Sequence, residues 1–278
     1  MISLLILTKN EEQDLPGCLE SVKWSDDIHV FDSFSTDNTL KIASEYGAIV
    51  TQRNFDNYAA HRNAALNKIQ FKYPWIFILD ADERLTAELV SEIKTEISIA
   101  KDNVNGFRIR RRDYLGDKWL KHAQISPYYI RLIRKGTAYY HREINEVLEV
   151  SGEIRNLNGF FNHYPFSKGL KQWLDKHNRY SSMEAQRWID EHDGKMKFSL
   201  RRAFFSKNFS ERRYHQKGLF YKLPGRPFLK WMYMVFWRRS FLDGRAGITY
   251  ATLQSVYEYF IVLKTKDLIN KKKSASSL

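Results

Sequence analysis

At 278 residues with 43% apolar side chains, the chain can bury one large core or two small ones, which excludes a disordered or low-complexity protein. The net charge of +13 is unevenly spread: residues 1–100 carry 9 Lys and Arg against 16 Asp and Glu, and residues 101–278 carry 36 against 16, so the two parts face different partners. A lone Cys18 excludes an intramolecular disulfide, and no uncharged apolar run reaches the roughly 20 residues of a bilayer-spanning helix, so a cytoplasmic protein is expected.

Ile2 to Leu7 reads as the first strand. Its apolar character is that of a signal-peptide core, but it lacks a basic leader and runs straight into Thr8-Lys9-Asn10-Glu11-Glu12. Leu15, Leu19 and Val22 then recur at helical spacing. Ile28 to Phe31 is a second strand, followed by a polar loop from Asp32 to Thr39 in which Ser35, Thr36 or Asp37 can cap a helix through Leu40, Ile42 and Ala43. Ala48 to Val50 is a short third strand, and Tyr58 to Ile69 a helix carrying His61-Arg62-Asn63. Trp75 to Leu79, apolar throughout and rich in aromatic and β-branched residues, is a fourth strand covered on both faces. Strands alternating with helices predict an α/β fold with a mostly parallel, doubly wound sheet.

A helix from about Thr86 to Ala100 follows, and then the rhythm changes. Gly106 to Arg111 and Tyr128 to Arg134 read as strands with alternating basic residues that extend the sheet. Glu143 to Val150 and Phe160 to Tyr164 come next, then an amphipathic helix from Gly169 to about His192. The last third is expected to be helical, basic and aromatic, interrupted at Leu223-Pro224-Gly225-Arg226-Pro227, with a frayed tail at Lys271-Lys272-Lys273. A domain of residues 1–165 and a C-terminal region of residues 166–278 are expected on this basis.

The chemistry gathers at the strand ends. The fourth strand runs into Asp80-Ala81-Asp82-Glu83, and two carboxylates at alternate positions suit a hard divalent cation shared with substrate phosphates. An acidic first turn for the following helix is the competing explanation. Glu11 follows the first strand and Asp32 the second, so these acids converge on one edge of the sheet, where open α/β folds bind ligands. A carboxylate there accepts from a base N–H or from ribose hydroxyls, and Arg62 can meet the base or a diphosphate. No glycine-rich dinucleotide fingerprint or P-loop follows an early strand.

Together, Thr8-Lys9-Asn10-Glu11-Glu12, Phe31-Asp32-Ser33-Phe34-Ser35-Thr36-Asp37-Asn38-Thr39, Arg62-Asn63-Ala64-Ala65-Leu66 and Leu79-Asp80-Ala81-Asp82-Glu83 resemble the successive signatures of a family 2 glycosyltransferase of the Rossmann-like GT-A fold. The resemblance implies a mostly parallel mixed sheet flanked by helices. It also implies a nucleotide-sugar pocket lined by Thr8, Asn10, Glu11, Asp32, Arg62, Asp80 and Ala81, with Asp82 holding Mg²⁺ or Mn²⁺ on the diphosphate. Phe34 stands where that family usually has glycine.

The segments Leu223 to Lys230 and Phe241-Leu242-Asp243-Gly244-Arg245-Ala246-Gly247 resemble the branch of bacterial lipopolysaccharide-core β-glucosyltransferases. That likeness implies His163 as a further metal or diphosphate ligand and Glu146, in Ile144-Asn145-Glu146, as the base; Glu143 and Glu149 lie on the same stretch. The expected function is inverting, metal-dependent transfer of a hexose from a nucleotide sugar, UDP-linked by preference, to a glycan or glycolipid acceptor. A nucleotidyltransferase and a non-catalytic nucleic-acid- or lipid-binding module are the alternatives. The Phe228 to Arg239 stretch mixes Trp, Tyr and Phe with Lys and Arg, which fits attachment to an anionic membrane at its inner face; no nucleic-acid partner is expected.

Overall fold

The computed structural model describes residues 1–141, 147–192, 199–206, 212, 215, 216, 218, 220, 221 and 223–275. The chain divides into two compact units, one of residues 1–119 and 125–167, the other of residues 120–124 and 168–278.

The first unit is built on β1 (Ser3–Thr8), β2 (Ile28–Asp32), β3 (Ile49–Gln52), β4 (Trp75–Asp80), β5 (Glu83–Leu85), β6 (Val104–Leu115), β7 (Lys118–Trp119), β8 (Tyr128–Arg134), β9 (Ala138–His141), β10 (Val147–Val150) and β11 (Glu153–His163). Among the described residues the main sheet runs in the order β3-β2-β1-β4-β8-β6-β11-β5, with β7 beside β6, and β9 and β10 pair as a separate antiparallel hairpin. β3, β2, β1 and β4 are parallel; β8 runs against them, β6 and β11 run with them, and β5 closes the edge antiparallel. This is the mixed, mostly parallel sheet that the sequence predicts.

Helices cover both faces, which explains why the early strands read as unbroken apolar runs. Leu4 and Ile6 of β1, with Phe77 and Leu79 of β4, join a core with α1 (Leu15–Val22), α2 (Thr39–Glu45) and α4 (Ala87–Ser98). Their neighbours Leu5, Ile76 and Ile78 point the other way, into a core with α3 (Tyr58–Lys68) and the β9–β10 hairpin. Thr86 caps α4 by accepting from the Leu89 amide at 3.2 Å, so the helix starts where its sequence signal lies. β5, β7 and β9 are additions to the predicted elements, and β6 and β11 are longer than expected.

The second unit holds α5 (Gly169–His192), α6 (Leu200–Phe205), α7 (Arg226–Met232), a π turn at Tyr233–Trp237, a 3₁₀ turn at Ser240–Asp243 and α8 (Gly244–Ala275). Its two sequence motifs have structural reasons. Asp243 is buried and accepts from the amides of His122 and Ala123 at 2.8 and 2.7 Å. A Cβ at Gly247 would meet the Ser240 carbonyl oxygen at 1.9 Å, so only glycine lets α8 pass so close to that turn. Arg226, which opens α7, pairs with buried Glu258 of α8 at 2.9 Å, and Lys230 reaches the same carboxylate at 3.5 Å. No described helix is long and apolar enough to cross a membrane.

Candidate functional site

Parallel pairing sets Thr8 opposite Asp32 and Leu7 opposite Asp80, so the ends of β2, β1 and β4 are level. The chain steps from β1 out to β3 and returns on the other side of β1 as β4. The crevice at such a reversal is the standard ligand position in an open α/β sheet.

The loops after β1 and β2 are laced together there. Lys9 Nζ donates to the carbonyls of Ser33 and Phe34 at 2.9 and 2.6 Å. The Asn10 amide donates to Ser35 Oγ, and the Thr36 amide to Asn10 Oδ1, both at 2.8 Å; the Glu11 amide donates to Thr39 Oγ1 at 2.7 Å. Phe34 has φ 58°, the left-handed backbone that glycine adopts without cost, which accounts for the family's usual residue here. The Phe34 ring points to solvent, so the loop keeps its bonds despite the bulkier residue.

Asp32 is fully buried beneath these loops. Its Oδ1 accepts from the hydroxyls of Thr8, at 2.9 Å, and Ser35; its Oδ2 accepts from the Ser35 amide at 2.8 Å and the Gln52 amide at 3.0 Å. Burial pushes the carboxyl pKa up, but these donors outweigh it and hold it below the ordinary range.

Asp80 ends β4 and is clamped by two arginines. Arg62 Nη2 meets Oδ1 at 2.8 Å and Arg131 Nη2 meets Oδ2 at 3.2 Å, while Arg131 also meets Glu83 Oε1 at 2.5 Å. Against the cost of burial, the two guanidinium groups hold the Asp80 carboxyl well below the usual carboxylate range. Glu83 differs: burial dominates and pushes its carboxyl up to about 7 despite Arg131. Three consecutive side chains of α3 each serve a different element. His61 Nε2 lies 3.1 Å from Ser33 Oγ, Arg62 takes Asp80, and Asn63 exchanges two 2.8 Å bonds with the Tyr140 backbone of β9.

Ala81, buried, and Asp82 form the turn between β4 and β5, fixed by the Tyr164 amide donating to the Asp82 carbonyl at 2.9 Å. β5 separates Asp80 and Asp82 from α4, so neither belongs to that helix's first turn. His163, at the end of β11, has Nε2 3.4 Å from Asp82 Oδ2 and Nδ1 2.5 Å from Asp113 Oδ1. Burial opposes its charge, but Asp82 and Asp113 prevail and raise its pKa to about 9. An imidazole held on one nitrogen by a carboxylate and facing a second carboxylate with the other has the form of a carboxylate–histidine–metal site. Among the described residues no cluster of three or more His, Cys, Asp or Glu could cage an ion. Asp82 and His163 offer one carboxylate and one ring nitrogen, too few to hold a cation without further oxygens from a substrate.

Asp113, Glu83 and Arg131 were not singled out by the sequence reading. Arg131 sits at a register irregularity: Leu132 pairs with Phe107 and Ile130 with Arg108, which leaves Arg131 between them and turns it towards Asp80. Glu146 and Glu143 lie outside the described residues, in the segment joining β9 and β10. Glu149, on β10, is exposed, with Oε2 2.7 Å from His141 Nε2.

Residues 3–154 match the sequence profile of the family described as glycosyl transferase family 2. The chain is 28% identical over 271 residues to the lipopolysaccharide core biosynthesis glycosyltransferase LpsC of Rhizobium meliloti, covering 93% of this chain and 92% of that protein. It is 32% identical over 237 residues to an uncharacterized glycosyltransferase of Rickettsia typhi, covering 78% and 79% respectively. Among solved structures, S. aureus TarS 1–349 in complex with UDP matches 99% of this chain and 91% of its own at 14% identity, with a TM-score of 0.47.

Proposed function

The chain belongs to glycosyl transferase family 2, and from that membership we propose that it is an inverting, metal-dependent hexosyltransferase using a UDP-linked sugar to extend a bacterial surface glycan such as lipopolysaccharide core. The observation that carries the reading is the Asp82–His163–Asp113 array beside arginine-clamped Asp80 at the sheet's reversal point.

In this reading Thr8, Asn10, Glu11, Asp32, Arg62, Asp80 and Ala81 line the donor pocket. The exposed Gln52 amide is the donor on Asp32 Oδ2 that a base N–H can replace, while Thr8 and Ser35 keep the carboxylate in place. Asp82 and His163 would hold Mg²⁺ or Mn²⁺, which supplies charge stabilisation for the departing nucleoside diphosphate. For that role His163 would keep its Nδ1 proton on Asp113 and give up the Nε2 proton that Asp82 otherwise helps to hold, freeing that nitrogen's lone pair for the ion. Arg62 and Arg131 keep Asp80 ionised and oriented towards the sugar and ribose. Glu146, outside the described residues, takes the proton of the attacking acceptor hydroxyl, and a single displacement inverts the anomeric centre.

The second unit provides the membrane contact in this proposal. Phe228, at 62%, and Trp237, at 79%, are among a series of exposed apolar side chains that continues through Tyr233, Phe236, Phe241 and Leu242, with exposed Arg239 between them. Sedimentation with anionic vesicles should fall as salt rises; equal binding to neutral vesicles would contradict it.

Product analysis tests the chemistry. Incubation with UDP-hexose, Mn²⁺ and acceptor should release UDP. Release of pyrophosphate from a nucleoside triphosphate and a sugar phosphate would instead mark a nucleotidyltransferase.

A further inference from the structure

The strand β6 carries a row of arginines that the donor site does not use. Arg110 lies over the Tyr128 and Phe160 rings, 5.2 and 4.5 Å from their centroids, and Arg112 over Phe160 and Trp119 at 4.7 and 4.9 Å. Phe160 is thus sandwiched between two guanidinium groups whose parent residues stand about 7 Å apart along the strand. Arg108 continues the row one repeat earlier and is exposed.

These arginines differ from their neighbours in what they lack. Arg111 pairs with Asp113, and Arg131 with Asp80 and Glu83. No carboxylate among the described residues forms an ion pair with Arg108, Arg110 or Arg112, and the buried Nε atoms of Arg110 and Arg112 have no acceptor. Glu88 feels the charge of Arg112 without forming an ion pair with it. Stacking on a ring uses the face of a guanidinium and leaves its in-plane N–H fork aimed at an acceptor that the protein does not provide. Among the described residues their Nη groups carry no ion pair, and an oxyanion can accept from such a fork through two parallel hydrogen bonds.

The face of the sheet indicates which anion. Phe107 and Ile109 of β6 enter the core beneath α1 and α4, so Arg108, Arg110 and Arg112 face the opposite side. Ile130, the register partner of Arg108, packs with Ala138, Leu148 and Val150 of the β9–β10 hairpin on that side. An anion on the arginine row therefore lies on the face opposite the Asp113–His163 pair, away from the proposed donor chemistry.

We propose that Arg110 and Arg112, supported by Arg108, form a subsite for a phosphate group carried by the saccharide acceptor. The assignment to the acceptor rests on the glycosyltransferase reading above; the anion subsite itself rests only on the stacked, unpaired guanidinium groups.

The test is a calorimetric titration of the full chain with glucose 6-phosphate, with glucose, and separately with UDP plus Mn²⁺. The wild-type chain should bind glucose 6-phosphate in preference to glucose, without competition from UDP. Arg110→Gln and Arg112→Gln should weaken that binding about tenfold or more, the scale of losing a charged hydrogen bond, and leave UDP binding unchanged. Arg112→Lys keeps the charge but loses the stacked fork, so it should be weakened as well. Equal affinity for glucose 6-phosphate in all variants, or equal affinity for glucose and its phosphate, would overturn the proposal. So would single-stranded RNA binding that tightens with length and depends on the same arginines, which would make the row a nucleic-acid surface. Arginine-dependent glucose 6-phosphate binding in a chain that fails to bind UDP with Mn²⁺ would uphold the subsite and remove the donor reading instead.

Discussion

The two halves of the main sheet handle buried charge in different ways. In the parallel half, Asp32 is surrounded by neutral donors: the Thr8 and Ser35 hydroxyls, the Ser35 amide and the Gln52 side chain. In the mixed half the charges meet one another: Arg131 spans Asp80 and Glu83, Arg111 meets Asp113, and Asp113 holds His163. A neutral shell fixes a carboxylate without cancelling its charge, which suits a rigid recognition point. A network of opposed charges can exchange one partner for a ligand ion or a phosphate, which suits a centre that must accept and release a diphosphate. In the proposed function, recognition falls to the ends of β1 and β2, and diphosphate chemistry to the ends of β4, β6 and β11.

The largest expected effect is on chemistry alone. Glu146→Gln should lower turnover about 10²–10⁴-fold, the scale for loss of a general base, while UDP affinity barely changes. Glu149→Gln, a change at an exposed residue of β10, should leave most activity. The reverse ranking in rates measured with saturating donor and acceptor would move the base to another carboxylate.

Breaking the charge network should cost stability. Arg131→Met leaves Glu83, 1% exposed, without its cation, and removal of one partner from a buried pair costs about 3–5 kcal/mol. Adding Glu83→Gln should recover part of the loss in denaturant unfolding. No recovery would mean that Arg131 acts through Asp80 alone.

The neutral shell makes a smaller prediction about pH. His61, buried between Ser33 and Phe31, has its pKa lowered from 6.5 to about 4, first by burial and then by Arg53. Between these values the unfolded chain binds a proton that the folded chain refuses, so stability rises with pH across that window and is lost as pH falls through it. The contribution is about 1–3 kcal/mol. His61→Gln should flatten the stability profile between pH 4 and 6.5; an unchanged slope would show that His61 titrates normally in the fold.

Much of the parallel half was legible in the sequence because its signals are local. Apolar runs gave β1, β2 and β4, and the polar clusters that follow them lie at one level because the strands pair in parallel. The mixed half was less legible because its site residues depend on long-range register. β5 is three residues long, with only Glu83 and Leu85 facing inward, and carries no periodic signal. Simple alternation along Tyr128–Arg134 sets Ile130 and Ile133 on opposite faces; the irregularity at Arg131 brings both to one core and leaves Arg131 out of the ladder. Asp113 meets His163 only because β6 and β11, far apart in sequence, pair in parallel. The reason for glycine at the Phe34 position became visible only from its φ of 58°.

The central claim is that Asp82 and His163 hold the cation on which donor binding depends. Calorimetric titration of UDP with and without Mn²⁺, on the wild-type chain and on Asp82→Ala, tests it most directly. The account predicts that Mn²⁺ tightens UDP binding to the wild-type chain, that Asp82→Ala abolishes this gain, and that the variant unfolds at the same temperature as the parent. UDP binding that is indifferent to Mn²⁺ in the wild type, or a Mn²⁺ effect that survives Asp82→Ala, would contradict it.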